Sequence, residues 1–114
     1  MYNTEKAVEI MREVCSACDA VFTKRISDAY LFGSYARGDC HAESDIDILL
    51  TVDEEPELLS AYRKQLSHIC SRLSLEYDIL ISATVKSADQ FRKYADVLPF
   101  YRNVLTEGIR YVAS

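Results

Sequence analysis

A chain of 114 residues is the size of one domain, and a content of 49% apolar and 27% charged residues suits a folded protein with a single core. The net charge of −5 argues against the basic stripe of a nonspecific nucleic-acid binder, so no stable nucleic-acid binding is expected. It leaves nucleotides open as ligands, because a bound divalent cation inverts the local sign of an acidic site. No apolar run approaches the roughly 20 residues needed to span a bilayer. Met1 to Lys6 shows neither the basic start nor the apolar stretch of a leader. The expectation is a cytoplasmic chain with no membrane contact, folded as one domain over residues 1–114.

Taken in chain order, the first predicted element is a helix from Thr4 to about Arg25. Ala7, Val8, Met11, Val14, Cys15, Cys18, Val21 and Phe22 recur at helical spacing, with Glu5 early and Lys24 and Arg25 late. Ile26 to Phe32 reads as a strand running into Gly33, and Ile46 to Val52 as a second strand rich in β-branched and aliphatic residues. Pro56 amid acids signals a helix start, and Leu58, Leu59, Tyr62, Leu66, Ile69, Cys70 and Leu73 mark its apolar face. Leu75 to Ser82 is predicted as a third strand. Short helices follow over Ser87 to Tyr94 and Pro99 to Glu107, the latter stopped at Gly108, with a terminal β-segment over Ile109 to Val112. The sum is an α+β domain, a small mixed β-sheet flanked by helices.

The stretch Gly33-Ser34-Tyr35-Ala36-Arg37-Gly38 places a glycine turn directly after a strand. Gly33 admits backbone angles closed to other residues and lets a phosphate approach the main chain. A short helix starting at Ser34 would aim free amides at phosphate oxygens, and the Ser34 hydroxyl adds a donor. Arg37 either contacts phosphate or anchors the loop. Asp45 and Asp47, two apart on a strand, point to one side while Ile46, Ile48 and Leu50 fill the other. Paired carboxylates repel unless a cation bridges them, and Mg²⁺ prefers such hard oxygen ligands. Asp78, placed in the third strand, would complete a triad able to support a two-metal displacement at phosphorus.

The remaining polar groups read more plainly. Cys15 and Cys18 form a Cys-x-x-Cys inside an apolar helical pattern, without a second pair at zinc spacing. With Cys40 and Cys70 they are expected to be reduced thiols packed as small apolar groups. His41 and Glu43 read as solvated loop residues, and the eight tyrosines as core or interface packing.

Gly33-Ser34, ten residues, then Asp45-Ile46-Asp47 resembles the Gly-Ser-x10-Asp-x-Asp signature of the polymerase-β-type nucleotidyltransferase superfamily. The fuller string, with Ser44 before Asp45, Asp78 as third acid, and Leu98 to Gly108 at the C-terminal end, is similar to the minimal nucleotidyltransferases, the MNT branch. That resemblance implies the polymerase-β-like nucleotidyltransferase fold. It implies ATP as substrate and Mg²⁺, two ions in the two-metal scheme, held by Asp45, Asp47 and Asp78, with Gly33, Ser34 and Arg37 on the nucleotide. It also implies an antitoxin that transfers AMP to a tyrosine hydroxyl of a HEPN-type toxin, its partner in a hetero-oligomer. The alternatives are a non-catalytic antitoxin acting by contact, and a transferase acting on a small molecule or RNA.

Overall fold

Asn3 opens the first helix: its Oδ1 accepts a hydrogen bond from the Lys6 amide at 2.9 Å, satisfying one of the helix's otherwise unpaired donors. The computed structural model describes residues 2–41 and 44–111. Helix α1 spans Thr4–Val21 and buries Ala7, Ile10, Met11, Val14, Cys15 and Cys18 along one face. It stops four residues short of the Arg25 boundary that the periodicity predicts. Phe22 turns extended so that its ring packs edge-on against Tyr62, with centroids 4.8 Å apart. The chain beyond it is then held by hydrogen bonds from the Lys24 amide to Tyr62 Oη and from the Ile26 amide to Asp19 Oδ1. These tertiary partners replace the backbone bonds that a continued helix would have made.

Strand β1 (Ile26–Phe32) pairs antiparallel with β2 (Ile46–Val52), and between them the four-residue helix α2 (Ser34–Arg37) caps the sheet end. Pro56 opens a 3-10 turn over Pro56–Leu58 rather than the helix itself, which begins at Ser60 as α3 (Ser60–Tyr77). Strand β3 (Ile81–Ser87) lies parallel to β2, and β4 (Ile109–Tyr111) antiparallel to β1, giving the order β3-β2-β1-β4. Helices α4 (Ala88–Tyr94) and α5 (Pro99–Glu107) lie between β3 and β4 in the chain. Val112, where the terminal strand was expected to end, falls outside the described residues.

The sheet has two apolar faces. Leu31, Ile46, Ile48, Leu50, Ile81 and Val85 meet α1 and α3, while Tyr30 and Leu49 meet Phe91 of α4 and Val104 of α5. Alternation along β2 therefore sends Ile46, Ile48 and Leu50 to one layer, and Asp47 and Leu49 to the other. Gly108 ends α5 by close approach rather than by a left-handed turn. A Cβ there would overlap the Val104 carbonyl oxygen and crowd that of Leu31.

The third strand is the main correction. Leu75, Glu76 and Tyr77 are the last turn of α3, Asp78 is its C-cap in the left-handed region (φ 53°, ψ 45°), and pairing begins only at Ile81. Asp adopts that region more readily than most residues, so it ends a helix where a glycine would otherwise stand. Ser74 fixes the junction: its Oγ accepts from the Ile81 amide at 3.0 Å and its carbonyl from the Ile79 amide at 3.2 Å.

Candidate functional site

Gly33 connects β1 to α2 with φ 77°, a conformation that L side chains rarely adopt. A Cβ on it would also overlap Asp47 Oδ2, so the turn is held against the carboxylate of the neighbouring strand. This follows from register, because Phe32, the residue before Gly33, is paired with Asp47. The carbonyl of Gly33 accepts from the Ala36 and Arg37 amides, both at 3.1 Å, which tightens the start of α2. The Ser34 and Tyr35 amides head that helix without a backbone acceptor among the described residues. Tyr35 is buried, and its carbonyl accepts from Thr4 Oγ1 at 2.6 Å, pinning α2 to α1.

Asp45 precedes β2 and Asp47 lies within it, both half-buried. Burial raises the Asp47 pKa above the ordinary carboxylate range; the charge of Asp45 raises it further, and Arg37 opposes both. The two acids and Arg37 thus share one electrostatic neighbourhood. Ser44 shapes the approach to them: its Oγ accepts from the His41 amide at 2.9 Å and its own amide bonds the His41 carbonyl. His41 is exposed, and Glu43 lies outside the described residues.

Arg37 reaches two acids. Its Nε is 3.2 Å from Asp39 Oδ2 and its Nη1 is 3.7 Å from Glu107 Oε2 at the end of α5. Sequence reasoning missed this helix as a wall of the site. Phe100, Asn103, Val104 and Glu107 line a cavity of about 190 Å³ together with Phe32, Gly33 and Arg37. The signal was present as helical spacing, since positions 100, 103, 104 and 107 share one face.

Asp78 is not brought into the site in the way the predicted strand required. It is exposed at the C-cap of α3, beside Ser74, Leu75 and Leu80, and among the described residues no group of three His, Cys, Asp or Glu side chains gathers to hold a metal. The pair Asp45 and Asp47 still fits a hard divalent cation: the carboxylates repel each other, and Gly33 leaves Asp47 the space a Cβ would fill.

Residues 11–111 match the family described as Nucleotidyltransferase domain. The chain belongs to that family. A Methanocaldococcus jannaschii relative, provisionally named protein adenylyltransferase MJ0604, is 40% identical over 106 residues, covering 93% of this chain and 95% of its own. The protein adenylyltransferase MntA of Thermococcus cleftensis is 35% identical over 57 residues, 50% of this chain and 57% of MntA. A crystal structure of a toxin–antitoxin with AMP-PNP superposes with a TM-score of 0.58 at 22% identity, covering 99% of this chain and 75% of that one. It shares the fold. In this nucleotidyltransferase the glycine turn, the short helix and the carboxylate pair meet at one end of the sheet, on β1, α2 and β2.

The four cysteines are free thiols in the structure, with Cys15, Cys18 and Cys70 buried. Burial pushes the thiols of Cys15 and Cys18 up to about 12 and that of Cys70 up to about 11, as expected of groups used for packing.

Proposed function

We propose that this nucleotidyltransferase is an adenylylating antitoxin, moving AMP from ATP to a hydroxyl, a tyrosine by family resemblance, of a HEPN-type toxin. The observation that carries the proposal is the close approach of Gly33 to Asp47, which sets a positive-φ glycine turn at the head of a short helix against a carboxylate pair. The names of the relatives support protein as the acceptor class.

Asp45 and Asp47 would hold Mg²⁺, which when bound neutralises triphosphate charge and acidifies the incoming hydroxyl. The chain's own residues supply the rest. The Ser34 amide and hydroxyl, with the Tyr35 amide, would receive phosphate oxygens, and the Gly33 turn lets them approach the backbone. Arg37, already near Asp47, offers a guanidinium to the charge that develops on departing pyrophosphate. No protein nucleophile is required; rate comes from alignment of the acceptor oxygen with the α-phosphorus and from charge stabilisation. Phe100, 47% exposed and on the wall of the cavity beside Gly33 and Arg37, offers an apolar surface to a protein acceptor.

The same apolar surface favours one second reading, neutralisation by contact alone. The test is to incubate the protein with its partner toxin, ATP and Mg²⁺ and to measure the toxin's intact mass. AMP-sized additions that disappear with Asp45→Asn/Asp47→Asn support transfer. Full neutralisation by that variant with no adduct would establish the contact reading.

A further inference from the structure

Strand β3 is an edge of the sheet, hydrogen-bonded to β2 on one side only. Over Ile81–Ser87 it carries no proline or glycine, and Lys86 is its lone charge, so the usual protections against edge pairing are sparse. Between this edge and α3 runs a groove of about 700 Å³, floored by Leu66, Cys70, Ile81 and Ala83 and rimmed by Ser67 and Ser71. Leu75 at its end is 85% exposed and Leu80 is 59% exposed. At opposite ends of the same α3 surface stand Arg63 and Asp78, both exposed and in no ion pair among the described residues.

We propose that this groove and edge are a self-complementary interface, and that their occupant is a second copy of this chain related by a two-fold axis. The charges select that occupant. Arg63 and Asp78 are about 22 Å apart along α3 at 1.5 Å per residue. An antiparallel second copy with its axis between Cys70 and Ser71 sets each Arg63 against Asp78 of the other, twice over. The same axis sets Ser67 against Ser74 and Leu75 against Leu66, so small residues meet where the helices approach and the exposed leucine is covered. Antiparallel pairing of β3 with its copy about Ala83 brings Ile81 opposite Val85 without changing faces, and yields one continuous eight-stranded sheet. Both nucleotidyltransferase sites then open on the same side, since Asp47 lies on the face away from α1 and α3.

Sedimentation velocity and light scattering on the purified full chain test the interface. The expected mass is twice the 13.0 kDa of one chain. Arg63→Glu or Asp78→Arg alone should weaken self-association about tenfold or more, through repeated like-charge contacts. The double variant Arg63→Glu/Asp78→Arg should restore it. Leu75→Glu, at a site 85% exposed and so not needed for folding of the single chain, should also yield a monomer, with an unchanged far-UV circular dichroism spectrum. A wild-type monomer at all concentrations, or a dimer indifferent to these charge reversals, overturns the proposal. A monomer whose Leu75→Glu form loses toxin binding overturns it as well, assigning the groove to a different protein.

Discussion

At the scale of the residue, Gly33 is constrained twice, by its positive φ and by the Asp47 carboxylate beside it. Gly33→Ala is therefore expected to cost about 1–2 kcal/mol from the backbone alone, and more from the overlap. Its measurable outcomes are a lowered Tm and loss of nucleotide binding by calorimetry. Asp47 presents the opposite balance, since a half-buried carboxylate raised by burial and by Asp45 opposes folding when ionised. Asp45→Asn/Asp47→Asn should lose about a hundredfold or more in transfer rate. Without Mg²⁺ it should melt no lower than the wild type. Added Mg²⁺ should raise the wild-type Tm and leave the variant's unmoved, as linkage requires of a cation that binds only the folded wild-type site. Scanning calorimetry with and without the cation checks both statements.

Among the elements, α5 joins the site through Glu107 and Arg37, whose side chains are each 46% exposed and 3.7 Å apart. An exposed pair of this kind contributes under about 1 kcal/mol, so Glu107→Gln should leave the Tm nearly unchanged. With one competitor for the guanidinium removed, kcat should rise about threefold, which steady-state kinetics would show. Strands β1 and β2 were legible because Gly33 and the acids bound them, and because Ile46, Ile48 and Leu50 alternate with polar or second-face positions. Strand β3 was not. The run from Leu75 to Ile81 contains enough aliphatic residues to read as extended, and nothing in it announces a helix end. The terminator is a left-handed Asp78, a conformation that sequence favours for glycine and asparagine, so the helix boundary and the third acid were misplaced together. The role of α5 was hidden for another reason. The resemblance over Leu98 to Gly108 assigned none of its residues a role, and only the pairing of β4 with β1 folds the helix back over Gly33.

For the whole molecule, one layer of helices α1 and α3 covers one sheet face, and α4 and α5 cover part of the other, the face to which Asp47 of β2 turns. The buried thiols report on the integrity of the larger layer. With pKa values pushed up to about 12, 12 and 11, Cys15, Cys18 and Cys70 carry almost no thiolate at pH 8. Native alkylation followed by peptide mass mapping should modify Cys40 alone, and the other three only on unfolding. The resemblance read from Gly33-Ser34 and Asp45-x-Asp47 and the matched nucleotidyltransferase family point to one chemistry, cleavage between the α- and β-phosphates. The most direct measurement uses ATP labelled on the α-phosphorus in one tube and on the γ-phosphorus in another, each with the protein, Mg²⁺ and its partner toxin. Label should enter the toxin from the α-position only, and not at all with Asp45→Asn/Asp47→Asn. Label entering from the γ-position, or from neither, would contradict nucleotidyl transfer to protein.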